Sequence, residues 1–507
     1  MTDAAIVGTG PNGLAAAVTL ARAGLRVALF EKADTPGGGL RTAPLFDRDV
    51  THDLCSAVHP MAAASRFFRR FDLPARGVRL LQPAVPYAHP LPGGRAAAAW
   101  RGLARTAGHL GADGPRWRQL MEPLADRSEG VVDLLLSGQR TVPRDPLAAL
   151  RLALRVPAQA TGRSRFATEE AEALLTGVAA HAVGRLPSLP AAAIALLLGH
   201  LAHSTGWPLP QGGSGRIAEV MIADITAHGG TLHTGHHVRD LAELGDIPLV
   251  LLDVGPREFL ALAGHRLPAR YRRALERYRY GPGAAKADFL VSAPIPWRNP
   301  LVGRAGTVHL GGTRADILRQ ENATAAGRPV PDPFVLVVDP AVTDPSREAG
   351  GRRPVWAYAH VPNGDTRDPV ELVRRRIEEY APGFTDTVVA ARGIPAAAYE
   401  TYNPNYTGGD IGAGALTLRQ SLARPAARWN PYRTPLPGVY LCSAATPPGP
   451  SVHGMCGHLA ALSALRHHHG LRRSPDLSPG SGRAGGRTDG GAGGTETGKK
   501  RKEEETI

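Results

Sequence analysis

The chain has 507 residues, too many for one compact core, so closely connected domains are expected, and 43% hydrophobic residues mark a globular protein. Its formal charge of +14 rests on arginine, since only five of 59 basic residues are lysine, and no basic stripe interleaved with aromatics runs through it, which argues against nucleic acid as a partner. Three cysteines (Cys55, Cys442, Cys456) without CxxC spacing support neither a disulfide framework nor a zinc site and fit a reducing, cytoplasmic setting.

Ala4 to Val7 is a short apolar strand that starts too early to leave room for a signal peptide. It runs directly into Gly8-Thr9-Gly10-Pro11-Asn12-Gly13, a complete GxGxxG. Leu14 to Ala23 reads as a helix with Leu14, Ala17, Val18 and Ala21 on one face, and Gly24 closes it. Arg26 to Phe30 is a second apolar strand, ending at Glu31 and Lys32. This is the spacing of a βαβ unit that binds a dinucleotide. Gly8 permits the tight turn, Gly10 lets the backbone approach a pyrophosphate, and Gly13 lets the helix pack closely on the sheet. The helix N-terminus offers free N–H groups to phosphate, and Glu31 would accept from a ribose 2′-OH, which argues against a 2′-phosphate there.

Beyond Glu31 come Gly37-Gly38-Gly39-Leu40-Arg41-Thr42 and, after a polar stretch, His52-Asp53-Leu54-Cys55-Ser56-Ala57-Val58-His59-Pro60. An acidic residue, a short spacer and then GG..RT resembles the FAD-binding start of the phytoene-desaturase-like flavoproteins, within the wider amine-oxidase and phytoene-dehydrogenase superfamily. The resemblance implies a Rossmann-like α/β FAD-binding domain of the glutathione-reductase and amine-oxidase type, with an inserted α+β substrate domain. It implies FAD as cofactor, held by Gly8, Gly10, Pro11, Asn12, Gly13, Glu31, Lys32, Gly38, Gly39, Leu40, Arg41 and Thr42.

Further along, Ala62 to Phe71 is expected to be a helix with Phe67, Phe68 and Phe71 facing the core, and Gly77 to Gly94 to hold strands of a different sheet. From Ala96 to His203 the pattern is helical and rich in Ala and Leu, without a chemistry motif; in the family the equivalent region caps the flavin domain and lines the substrate tunnel. The longest apolar stretch, Leu189 to Ala202, is too short to span a bilayer, so any membrane contact would be peripheral. Pro208 to Val238 returns to the nucleotide domain, with a helix over 217–227 and an alternating strand over 231–238. Alternation puts His236 and His237 on opposite faces with no carboxylate beside them, so no metal site is expected. In related flavoproteins the residue at the Val238 position contacts adenine through its backbone. Leu249 to Val254 resembles the strand that closes this half of the fold.

Gly281 to Leu290 also matches the family and carries Lys286, one of two lysines outside the tail. His309 to Thr313, Phe334 to Asp339 and Val355 to His360 read as strands, and Asp368 to Tyr380 as a helix. Asn403 to Ile411 resembles a loop that in relatives reaches the flavin side of the active site; its one carboxylate is Asp410. His59, Lys286 and Asp410 are the candidate catalytic residues, with turn capping an equal alternative for Asp410 and a strand-edge position the alternative for Lys286.

Near the other end, Gly438 to Gly457 looks like the family's C-terminal flavin motif: a strand, a Pro/Gly turn and a helix beginning near Gly454. It adds Ala445, Thr446, Gly454 and Met455 to the implied FAD contacts, the helix aiming its N–H groups at the flavin's pyrimidine edge. Ser443 and Gly449-Pro450-Ser451 depart from family glycines, which bears on how the flavin sits. The expected segments are 1–75, 206–270 and 413–471 for FAD, 76–205 and 271–412 for the substrate domain, and a disordered Ser/Pro/Gly tail over 472–507. The resemblance implies hydride transfer between a small apolar substrate, of polyene or isoprenoid type, and FAD. Two alternatives stand beside it: a flavin-free lipid or polyene carrier of the GDP-dissociation-inhibitor type, and a flavoenzyme acting on amines or other non-isoprenoid metabolites.

Overall fold

The computed structural model describes residues 2–138 and 142–480. Two sheets organise them. The first is five-stranded and wholly parallel, in the spatial order Val439–Leu441, Leu249–Leu252, Ala4–Val7, Val27–Phe30 and Thr231–His233. Ala4 pairs with Val27 on one side and Leu249 on the other. Its central strands read as unbroken apolar runs because helices cover both faces. Helix Pro11–Arg22 lies on one face with helices Gly215–Ala227 and Met455–His469 packed against it. The last of these crosses so closely that a side chain at Gly457 would run into the backbone of Asn12. Gly457 therefore lets the C-terminal helix reach the glycine loop.

The second sheet has seven strands in the order Val388–Ile394, Gly283–Val291, Arg353–Val361, Val335–Val338, Ala305–Leu310, Val85–Pro90 and Ala96–Ala99. All its pairings are antiparallel except that between Ala305–Leu310 and Val85–Pro90. Alternation sorts Gly283–Val291 into two faces. Ala285, Ala287, Phe289 and Val291 enter a core with Leu372, Val373 and Ile377 of helix Pro369–Tyr380. Lys286 and Asp288 therefore belong to the opposite face, where Ala284, Leu336, Val338, Trp356 and Tyr358 cluster. Helices between Leu103 and His203 cap the assembly, and Leu189–His203 is the most apolar of them.

Three expectations need correction. Residues 62–71 are not one helix but Pro60–Ala64 and Arg66–Phe71, because Ser65 is extended, accepts from the Phe68 N–H and donates to the His453 carbonyl. Phe67, Phe68 and Phe71 are buried all the same. The strand at 231–238 stops at His233, and His233 and His236 both lie against the Phe30 ring. The chain also keeps packing beyond Arg472: Leu477 is fully buried, Arg76 donates to its carbonyl at 2.9 Å, and Arg70 holds Ser474 and Pro475. A single buried leucine and three arginine clamps, the third being Arg22 on the Ser478 carbonyl at 3.1 Å, hold this polar stretch, a signal that composition averages away. The rest of the expected tail, 481–507, lies outside the described residues.

Candidate functional site

One cavity of about 1110 Å³ reaches both sheets. At the parallel sheet it is lined by Gly8, Gly10, Pro11, Asn12, Glu31 and Lys32, by Gly38, Gly39 and Arg41, and by Val238. The glycines sit where a larger residue would not fit. Gly8 has a φ of +95°, a Cβ on Gly10 would lie 2.6 Å from the Asp253 carboxylate, and one on Gly38 2.8 Å from the Gly10 Cα. Glu31 is fixed as well as placed: Thr9 donates to Oε2 through its N–H (3.0 Å) and hydroxyl, and the Ala33 N–H donates to Oε1 at 2.9 Å. The buried Asn12 Oδ1 and Arg41 Nε have no protein partner among the described residues. A glycine cradle, a held carboxylate and unsatisfied polar atoms converging on one cavity fit the diphosphate and ribose of a dinucleotide.

Other implied contacts lie deeper. Gly13, Leu40, Thr42, Ala445, Thr446, Gly454 and Met455 do not line the cavity. A Cβ on Gly13 would run into the Gly8 carbonyl oxygen, so this glycine serves packing. Thr42 donates to Asp53 at 2.7 Å and accepts from the Gly215 N–H. Gly454 caps the last helix with φ +67°, wedged against Phe67 and Ala15, and the Met455 N–H is already taken by His453 Nδ1 at 3.0 Å. The cavity wall from this motif is instead Ser443, Ala444, Pro448 and Pro450 to Val452. Ser443 spends its hydroxyl on the Val254 carbonyl at 2.7 Å.

The inserted sheet and the cap supply the remaining wall. Leu189, Pro190, Ala193, Ile194, Leu197 and Leu198 come from one helix, Thr307, Leu336, Val338, Trp356 and Tyr358 from the sheet, and Trp207 and His181 from connecting segments. Tyr402 and Tyr406 stand between the two ends. Tyr402 donates to the Gly38 carbonyl at 2.7 Å with Arg41 over its ring, and Tyr406 meets Cys55 Sγ at 3.4 Å.

The three candidate catalytic residues do not meet. Asp410 lines the cavity, but its oxygens accept from the N–H groups of Gly281, Gly412 and Gly414, which anchors the loop. His59 lies behind the wall, its Nε2 2.8 Å from Ser214 Oγ, and burial draws it down to about 4. Lys286, 1% exposed, is ion-paired with Asp288 beneath the Trp356 ring. Burial lowers the Lys286 amine and raises the Asp288 carboxyl, each opposed by its partner's charge. Lys286 is thus a buried ion pair under an aromatic wall, not a solvated edge.

Three residues at the site were not among the candidates. Trp356 sits in the expected strand 355–360 and Tyr406 in the family-like loop 403–411, but neither aromatic stands out within its segment. Asp253 ends the apolar strand Leu249–Leu252 much as Glu31 ends Val27–Phe30, and that parallel was the signal for it. Its Oδ2 accepts from the Gly13 N–H at 2.9 Å, and burial, then the nearby Glu31, pushes its carboxyl up to about 7. Among the described residues no three His, Cys, Asp or Glu converge as a metal site, and no helix is long and apolar enough to cross a membrane.

The Rossmann-like parallel sheet, joined through one cavity to a second, mixed sheet, is a fold this chain shares with solved amine oxidases of low sequence identity. Cyclohexylamine oxidase from Brevibacterium oxydans superposes with a TM-score of 0.56 at 15% identity, over 92% of this chain and 99% of that one. Putrescine oxidase bound to putrescine gives 0.55 at 18% identity, over 92% and 99%. Residues 6–71 match the NAD(P)-binding Rossmann-like domain. By sequence, the chain is 25% identical over 305 residues to rat (Rattus norvegicus) pyridine nucleotide-disulfide oxidoreductase domain-containing protein 2, a match spanning 51% of each chain. It is 26% identical to an uncharacterized protein of Mycobacterium tuberculosis, over 93% of this chain and 98% of that one.

Proposed function

We propose that the protein is an FAD-dependent oxidoreductase acting on a small, largely apolar molecule. The observation that carries this reading is the continuity of one cavity from the glycine cradle to a wall without charge: the residues from helix Leu189–His203 and from the second sheet that line it are aliphatic, aromatic or hydroxyl-bearing. Gly8, Gly10, Asn12, Glu31 and Arg41 would hold the dinucleotide. When bound, FAD supplies a two-electron acceptor for a substrate C–H bond. The chain's own part is to bind, orient and exclude water. Leu197, Leu198, Trp207 and Trp356 surround an apolar substrate and keep water out. Tyr402 and Tyr406 fix the width of the passage through their bonds to Gly38 and Cys55. An isoprenoid or polyene body suits this wall, and exposed Leu189, Leu418 and Leu422, the first two of which also line the cavity, suit delivery from a membrane surface.

A second reading is an amine or other non-isoprenoid metabolite as substrate. The aromatic walls of Trp356, Tyr358, Tyr402 and Tyr406 favour it, as does the fold's likeness to putrescine and cyclohexylamine oxidases. A flavin-free carrier is disfavoured, since it has no use for the Gly8–Gly10–Glu31 cradle.

The deciding measurement is the visible spectrum of the purified protein before and after denaturation, followed by anaerobic mixing with an isoprenoid panel and an amine panel. Flavin bands released on unfolding, and bleached by isoprenoids only, are expected. Bleaching by amines only would move the substrate class. A colourless protein that takes up no added FAD would sink the reading.

A further inference from the structure

Helix Pro11–Arg22 begins without a cap of its own: Gly10 has no side chain, and Pro11 has no N–H to give. Its cap comes from a distant strand. Asp253 follows Leu249–Leu252, its backbone N–H bonded to the Val7 carbonyl at 2.8 Å, and its Oδ2 takes the Gly13 N–H at 2.9 Å with the bare Gly10 Cα alongside. Asp253 is 8% exposed and lines the cavity. Its carboxyl therefore stands at the cavity wall beside Gly10, at the helix N-terminus where a Rossmann cradle receives a pyrophosphate.

The groups that face Asp253 bring no cation. Glu31, at the end of the neighbouring strand, adds a second negative charge, and Cys442 and Cys456, whose thiols burial holds neutral, close the other side. Asn405 donates only to the Asp253 backbone carbonyl, at 3.2 Å. A carboxylate anion and a phosphate anion at the same helix N-terminus would repel; Lys32 and Arg41 line the cavity, but neither acts on Asp253. Burial already places this carboxyl at about 7, where protonation is within easy reach.

Resting on the reading of the cavity as a dinucleotide site, we propose that Asp253 is a ligand of the cofactor's pyrophosphate in its neutral acid form, its carbonyl oxygen keeping the Gly13 N–H and its hydroxyl donating to a phosphate oxygen. Binding then takes up one proton from solvent, and the ionised side chain caps the helix when the cradle is empty.

The test titrates apoprotein with FAD, by flavin fluorescence, and with ADP, by calorimetry, from about pH 6 to about pH 9. The apparent Kd of both ligands should rise about tenfold per pH unit above the Asp253 pKa, and calorimetry in buffers of different ionisation heat should register about one proton taken up. Asp253→Asn keeps an acceptor for Gly13 and a donor for phosphate, so it should flatten the profile and bind FAD at least about tenfold more tightly at the alkaline end. Asp253→Ser provides a second variant should the first fail to fold, and Glu31→Gln should retain the slope. A flat wild-type profile, or an unchanged slope in Asp253→Asn, overturns the inference alone. Failure of wild type to bind FAD or ADP at any pH removes the cofactor reading and this inference with it.

Discussion

The two ends of the cavity are built on different logic. At the parallel sheet the wall is backbone: Gly8, Gly10 and Gly38 work by lacking side chains, and Glu31 is held in place by Thr9 and Ala33. At the mixed sheet, side chains do the work, and they come from elements scattered from Cys55 to Leu418. A backbone cradle must be written in consecutive residues because tight turns are local. A side-chain wall need not be, since any apolar residue of suitable volume serves. Under the proposed function, the first end sets the cofactor class and the second is free to set the substrate.

The largest effect that would sharpen this contrast lies at the second end, in the Lys286–Asp288 pair. Removing one partner of a buried ion pair leaves an uncompensated charge and costs about 3–5 kcal/mol. Lys286→Met should lower the melting temperature accordingly, while Lys286→Met combined with Asp288→Leu should recover most of the loss. Denaturant unfolding of both variants checks this. Equal destabilisation of single and double variants would show that the uncompensated charge is not what the single variant suffers from, and that Lys286 contributes through its packing beneath Trp356.

Gly13 offers the matching test at the first end. Its missing side chain makes room for the Gly8 carbonyl, so Gly13→Ala forces the helix off the sheet at a cost of about 1–3 kcal/mol. Because the helix start is the cradle, FAD occupancy should fall with stability. A stable Gly13→Ala variant with full flavin would mean that the loop is looser than its packing indicates.

The same contrast explains what was legible. The βαβ unit, its glycines, Glu31 and the GG..RT stretch could be read because each depends on neighbours within a few turns of chain. The C-terminal motif was legible as a motif, yet Gly454 and Met455 prove to be packing and capping residues, while Pro448 to Val452 face the cavity. Which member of a motif touches the cavity depends on helix rotation, and here Phe67 and Ala15 set it. Asp253, Tyr402, Tyr406 and Trp356 were not marked as site residues even where a family-like strand or loop contained them, since their roles arise only when a strand end, a loop and a sheet face converge. Asp410 shows the converse: a conspicuous carboxylate in a glycine-rich loop, whose oxygens the loop itself consumes.

The smallest effect concerns Glu31, where the two logics overlap because a side chain does a backbone's job. Its carboxylate both fixes the Thr9 turn and faces the cavity, so Glu31→Ala would confuse loop anchoring with ligand contact. Glu31→Gln is cleaner: one oxygen remains to accept from Thr9, only the Ala33 N–H loses its acceptor, and the charge that strengthens a ribose hydroxyl contact is gone. A charge-assisted hydrogen bond is worth about twice a neutral one, so FAD affinity should fall about tenfold with the melting temperature nearly unchanged. FMN, which lacks the adenosine half, should bind Glu31→Gln as it binds wild type. Equal losses for FAD and FMN would mean that Glu31 acts through the loop, and the ribose contact would have to be sought elsewhere, with Lys32, His236 and His237 the cavity-lining donors nearest in sequence to the strand ends at Phe30 and His233.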